Sequence, residues 1–279
     1  MKTINTDDII KNLKNLILNA CVNISPDCEK ALKSAVQTET SPQAKFALEI
    51  LQKNIEIARQ NKLPACQDTG MAVIFMEIGQ DVKIEGMYIE DAINEAVRQA
   101  YKEGCFRMSV LDPLNRKNTG DNTPSIIHTK IVKGDFLKIG FIAKGFGSEN
   151  MSRLFMLKPS DGLQGVKDCV IKAVKEAGSN PCPPIIAGIG IGGTSDKAAA
   201  LAKHSLFRDI GSINPDSELN NLENDLLKDI NALDIGAQGF KGCNTALAVF
   251  AEKFPTHLAA LPVAINIQCH SVRKGWIVL

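Results

Sequence analysis

Apolar residues recur at helical spacing from the start of the chain, where Ile9, Ile10, Leu13, Leu16 and Ile17 form one stripe behind Thr6, a residue able to cap an opening helix. Ser25-Pro26 and Ser41-Pro42 mark the cap and first-turn positions of two further helices, because proline loses nothing where the amide has no helical partner. Residues 1–63 are therefore expected to be helical, and Pro64 closes that run. The period then changes. Residues 71–78 are apolar and rich in strand formers, behind the polar turn Gln67-Asp68-Thr69-Gly70. A helix is expected over 88–102, burying Ile89, Ala92, Ile93, Ala96 and Val97, followed by a polar loop over 115–124. Residues 126–132 and 136–143 read as two paired strands around the turn Gly134-Asp135.

In the second half, a helix over 162–177 precedes Pro181-Cys182-Pro183-Pro184, a strand over 185–191, and a glycine turn into a helix containing 197–204. An amphipathic helix over 220–233 and short buried strands over 247–250 and 261–267 complete the order. The element order mixes helices and strands, which predicts an α/β or α+β fold spanning 1–279, helical over 1–63 and mixed over 64–279. With 279 residues, 44% of them hydrophobic, the chain can bury its own core as one large domain or two fused lobes.

Charge narrows the partners. The net charge is +1 and the basic residues are spread along the chain, which argues against nucleic acid. Asp7 and Asp8 precede the first apolar stretch, and Lys11, Lys14 and Asn15 interrupt it, so neither a signal peptide nor a membrane span is expected. A cytoplasmic location follows, where eight cysteines are thiols or metal ligands more readily than disulfides.

Cys21, Cys28 and Cys169 lie on helix faces, as small core residues do. Cys66, Cys182 and Cys269 each lie beside a strand end or a proline-rich turn, where side chains can converge. No CxxC pair occurs, which argues against zinc ribbons, thioredoxin-like centres and ferredoxin-type runs. Three isolated thiolates could hold a cubane cluster with one iron left open as a Lewis acid, the alternative being ordinary buried thiols. Cys105 and Cys243 lie in loop-like contexts and stand in reserve.

Asp68, two residues after Cys66, would be near any metal bound there and suits acid–base work, or it merely shapes an Asx turn. Arg107 could grip a substrate carboxylate through its planar fork, or form a surface ion pair. The run Gly188-Ile189-Gly190-Ile191-Gly192-Gly193 formally contains GxGxxG between a strand and a helix. The reading preferred here is that Gly192, Gly193, Thr194 and Ser195 offer helix-start amides to a carboxylate or to the cluster region. The small-residue loops 118–122 and 144–150 could let backbone approach a ligand, and His270 could support its neighbour Cys269.

Taken together, Pro64-Ala65-Cys66-Gln67-Asp68-Thr69-Gly70, Asn118-Thr119-Gly120, Lys144-Gly145-Phe146-Gly147-Ser148, Cys182-Pro183-Pro184, Ile191-Gly192-Gly193-Thr194-Ser195, Gly236-Ala237-Gln238-Gly239 and the end of the chain around Cys269 resemble the class I, iron–sulfur fumarate hydratases. The likeness is specifically to the alpha subunit of their two-chain forms. It implies a [4Fe-4S] cluster on Cys66, Cys182 and Cys269, with Asp68 donating a proton to the departing hydroxyl. It also implies that Gln67, Arg107 and Gly147 contact a dicarboxylate, malate or fumarate. Single-chain members have a further cysteine where this sequence has Leu261, so that cysteine is not required here. They also continue into a domain carrying a threonine base and more arginines, whereas this chain ends ten residues after Cys269. A beta subunit bearing the base, in an α2β2 assembly, is the expectation. The alternatives are the alpha subunit of an L-tartrate dehydratase, an NAD-dependent dehydrogenase, and a non-catalytic iron–sulfur scaffold or sensor.

Overall fold

The chain opens with a strand that periodicity did not reveal. In the computed structural model, which describes residues 2–279, β1 (Lys2–Asn5) runs straight into helix α1 (Thr6–Val22). Asn5, not Thr6, caps that helix: its Oδ1 accepts from the amide of Asp7 at 2.8 Å. Thr6 is buried, and its Oγ1 accepts instead from the amide of Met87 at 3.1 Å. Helices α2 (Pro26–Thr38) and α3 (Pro42–Asn61) begin at the two prolines, as the Ser-Pro pairs predicted. Ser41 Oγ accepts weakly from the amide of Ala44 at 3.4 Å, but Ser25 Oγ is buried without a hydrogen-bond partner and caps nothing.

The rest of the order is β2 (Met71–Gly79), β3 (Val82–Glu85), α4 (Ile89–Glu103), β4 (Ile126–Val132), β5 (Leu137–Lys144), α5 (Phe146–Glu149), β6 (Arg153–Leu157), α6 (Gly162–Ala177), β7 (Ile185–Gly192), α7 (Ser195–Ser205), α8 (Ser217–Asn231), β8 (Ala246–Phe254), β9 (Leu261–Gln268) and β10 (Lys274–Val278). Helices and strands are mixed along the chain and the sheets are themselves mixed, in keeping with the expected class. Two compact units emerge, one from residues 1–25, 54–145 and 272–279, the other from 26–53 and 146–271.

In the first unit the sheet order is β10-β5-β2-β4. This corrects the expected hairpin: β4 and β5 do not pair, because β2 lies between them, parallel to β4 and antiparallel to β5. Burial explains the choice. Val73, Ile74 and Met76 of β2 and most of β5 are buried, so these strands take the interior, while β4, largely exposed or half-buried, suits an edge. Ile9, Leu13 and Ile17 of α1 and Ile93 and Val97 of α4 close one core with Ile74 and Phe141.

In the second unit the order is β6-β9-β7-β8, with β7 parallel to β8 and antiparallel to β9. Strand alternation sorts the two faces. Val170 and Val174 of α6 and Leu222 and Leu226 of α8 pack with Ile189 and Ile267 in one cluster, and Ala198 and Ala202 of α7 pack with Ala264 in another. Among the described residues no helix is long and apolar enough to cross a membrane.

Candidate functional site

The first unit presents Cys66, Gln67 and Asp68 on the loop between α3 and β2, and this loop is tied down residue by residue. The amide of Ala65 donates to Cys21 O at 2.9 Å, and Asn54 Nδ2 donates to Ala65 O at 2.9 Å. Asp68 Oδ1 accepts from the amide of Gly70 at 3.0 Å, forming the Asx turn that the sequence offered as the alternative to acid–base work. Gly70 has φ +75°, and a Cβ there would stand 2.7 Å from the backbone of Lys144, so only glycine fits. The loop's carbonyls go to buried donors: Arg273 Nη1 reaches Asp68 O at 2.6 Å, Tyr101 OH reaches Thr69 O at 2.8 Å and Gly70 O at 3.0 Å, and Asn122 Nδ2 reaches Gly70 O at 3.1 Å. Burial holds the Tyr101 phenol far above its ordinary pKa, so it remains a donor at neutral pH.

Thr69 Oγ1 donates to Arg107 O at 2.7 Å, which fastens the Arg107 loop to the Asp68 loop. The Arg107 side chain is exposed and makes no ion pair among the described residues, against the surface-pair alternative. The polar loop 118–122 props the same segment: Asn118 Nδ2 donates to Met108 O at 2.9 Å, and the amide of Ser109 donates to Asn122 Oδ1 at 2.7 Å. Its two asparagines, Asn118 and Asn122, therefore serve as buttress.

The second unit brings together Cys182, Cys269 and Gly147. Cys182 lies just before β7 and Cys269 just after β9, and the antiparallel register Ile186↔Gln268 puts both at one end of the sheet. His270 Nδ1 lies 3.0 Å from Cys182 O; since a carbonyl only accepts, the proton is on Nδ1. The Cys28 thiol donates to His270 O at 3.0 Å, so this helix-face cysteine braces the Cys269 turn. Gln238 Nε2 and its amide both donate to Pro183 O, at 2.6 and 2.8 Å, which explains the Gly236-Ala237-Gln238-Gly239 segment as a clamp on the Cys182 loop. Gly147 is exposed beside that loop, where its Cβ would stand 3.5 Å from Asn180 O. Behind it Glu149 is gripped by Lys203 Nζ at 2.6 Å and Asn266 Nδ2 at 3.0 Å.

The reading that the glycine run turns its helix-start amides toward the cluster region does not hold at the Cys182–Cys269 end of this unit. Strand β7 carries the chain away from Cys182, so Gly192, Gly193, Thr194 and Ser195 lie at the opposite end of an eight-residue strand, roughly 25 Å off. Their amides do not face the Cys182–Cys269 end. The dinucleotide fingerprint is likewise accounted for by packing: a Cβ on Gly188 or Gly190 would stand 2.1 or 1.9 Å from the carbonyls of Ala202 and Ala198, so these glycines let α7 lie close on the sheet. A cavity of about 410 Å³ lined by Val166, Ile191, Leu222, Lys253, His257 and Leu261 opens at that same far end.

A family model described as fumarate hydratase (fumerase) matches residues 10–278. The chain belongs to this family. Among curated members and relatives it is 44% identical to a putative L(+)-tartrate dehydratase subunit alpha of Methanocaldococcus jannaschii, over 93% of each chain. It is 29% identical to the L(+)-tartrate dehydratase subunit alpha of Escherichia coli K12, over 99% of this chain and 93% of that one. It is also 29% identical to a putative fumarate hydratase class I of Geobacillus stearothermophilus, over 96% of this chain and 54% of that longer one.

Within this fumarate hydratase family member the cysteines divide by environment. None of the eight is in a disulfide. Burial pushes the thiols of Cys21 and Cys169 up to about 11, the first partly offset by the charge of Arg273, which suits inert core residues. Cys182 is exposed and Cys66 and Cys269 half-buried, so these thiols are accessible to iron, and thiolates are what iron–sulfur groups take. Reserve Cys243 is occupied otherwise: its thiol donates to Thr38 O at 3.3 Å and its amide to Glu39 Oε1 at 3.1 Å. Within neither unit, among the described residues, do three His, Cys, Asp or Glu side chains gather as around a metal ion. Arg273 and Tyr101 were not singled out by the sequence, because a local pattern does not announce that a charged or polar side chain will be buried, and Gln238 stood out only as part of its motif.

Proposed function

We propose that this chain is the cluster-holding alpha subunit of a hydro-lyase that reversibly dehydrates (S)-malate to fumarate together with a separate beta subunit. The observation that carries the reading is the pairing of Cys182 and Cys269 at one sheet end, linked through His270, in a chain whose family relatives are named as hydro-lyases. A [4Fe-4S] cluster on Cys66, Cys182 and Cys269 would supply an iron without a protein ligand, a Lewis acid for substrate hydroxyl and carboxylate oxygens. Asp68 delivers its carboxyl proton to the departing hydroxyl, and its Asx turn and pinned carbonyl keep that carboxyl oriented. Arg107, exposed on a loop fastened to the Asp68 loop, pairs with a substrate carboxylate. Gln67 offers its amide to substrate oxygens, and Gly147 admits the substrate to its backbone. The beta subunit provides the base that takes the carbon-bound proton, so that one proton leaves carbon, one reaches oxygen and water departs. Relatives named as alpha subunits support that division of labour. Eight cysteines outside disulfides accord with a reducing cytoplasm.

The experiment is anaerobic purification of both subunits with iron and sulfide analysis. Iron-containing protein that hydrates fumarate, and loses both iron and activity in Cys66→Ala, supports the reading; undiminished activity in that variant, or an active preparation without iron, refutes it. One observation favours a second substrate, since the relative at 44% identity is named for L(+)-tartrate. Turnover of malate and of L-tartrate by the same preparation decides between the two.

A further inference from the structure

Among the described residues Arg273 is one of the largest fully buried side chains, at 0% exposure, and it lies behind the Asp68 loop. Water solvates none of its charge, so such a group persists only where its donors are used. Its Nη1 donates to Asp68 O at 2.6 Å. Its Nη2 lies 3.5 Å from the point where a Cβ on Gly145 would stand, and Asp68 Oδ2 lies 3.2 Å from that same point. One guanidinium thus holds the backbone of Asp68, and both it and the Asp68 carboxyl lie against Gly145. The absence of a side chain at 145 leaves the Asp68 carboxyl uncrowded. The carbonyls of Thr69 and Gly70 are held separately by Tyr101 and Asn122, so in this loop the guanidinium's hydrogen bond falls on the residue proposed to move the proton.

We infer that Arg273 is a positioning residue that fixes Asp68 in the orientation needed for proton delivery, through a planar fork that lysine cannot reproduce. The inference rests on the hydro-lyase reading above, and its test includes a measurement that does not depend on that reading. Arg273→Lys retains the charge but replaces the fork with a single nitrogen. Gly145→Ala leaves Arg273 intact and crowds the Asp68 carboxyl, 3.2 Å from the new Cβ.

Both variants are made in the two-subunit holoenzyme, handled anaerobically, and read by kcat, KM, iron content and amide hydrogen exchange. The expected result for Arg273→Lys is full iron, a KM within about twofold of wild type and a kcat reduced about tenfold or more. Exchange in the peptide covering 66–70 should quicken about tenfold while the helix over 89–103 is unchanged. Gly145→Ala should show the same loss in kcat at constant KM. Wild-type kcat in both variants, exchange unchanged at 66–70, or a kcat loss that merely follows iron loss overturns the assignment. Should Arg273→Lys fail to fold, Gly145→Ala decides: a wild-type kcat in that variant overturns it. A wild-type holoenzyme inert toward malate and tartrate sinks the hydro-lyase reading instead, and the exchange result alone then decides whether Arg273 holds the loop.

Discussion

At the scale of single residues, burial sorts groups of one type into different duties. Cys21 and Cys169, raised to about 11, should resist alkylation at pH 8 in cluster-free protein, whereas exposed Cys182 should react early; peptide mass spectrometry reads the order. Tyr101 serves two carbonyls with one hydroxyl, so Tyr101→Phe should cost about 1–3 kcal/mol in denaturant unfolding, the desolvation cost of unsatisfied buried acceptors. Glu39 gives a pH test. Burial to 8% exposure by itself would raise its pKa, but hydrogen bonds from Asn244 and the amides of Ser41, Cys243 and Thr40 outweigh it and hold the carboxyl below its ordinary 4.5. Folding therefore binds the proton less tightly than the unfolded chain does, so the stabilisation is complete above about pH 4.5 and is lost as pH falls below it. Glu39→Gln should flatten the acid limb of a stability-against-pH curve while lowering stability at pH 7.

At the scale of elements, starts and contacts are set by a few atoms. Asn5→Ala should lower stability by about 1 kcal/mol through loss of the α1 cap, measured by thermal unfolding. The β7–α7 contact is stricter. Gly190→Ala puts a methyl 1.9 Å from Ala198 O and should cost about 3 kcal/mol, because backbone must move to relieve it. The order β10-β5-β2-β4 shows the limit of local pattern, since two strands joined by a short turn were separated by a more thoroughly buried one. Short strands β1, β3, β6 and β10 carry too few residues for alternation to show.

At the scale of the whole molecule, the seven residues singled out from sequence divide between the units. Cys66, Gln67, Asp68 and Arg107 belong to one, and Gly147, Cys182 and Cys269 to the other. One boundary of the two units, Gly145-Phe146, falls inside the motif segment Lys144-Gly145-Phe146-Gly147-Ser148. If the proposed function holds, the chain purified alone without oxygen should bind iron and sulfide yet turn over neither malate nor tartrate until the second subunit is added.

Helix starts at Pro26 and Pro42, the amphipathic stripes of α1 and α4, the bounds of α6 and the family-specific motif order were determined by the sequence alone. These depend on periodicity and on residues a turn apart, which can be read without knowing the fold. Only the tertiary structure decided that β2 would part β4 from β5, that β7 would carry the helix-start amides away from Cys182, and that Arg273 would be buried behind Asp68. Each of those outcomes is settled by contacts between residues far apart in the chain, where strand direction and competition for the interior override local preference.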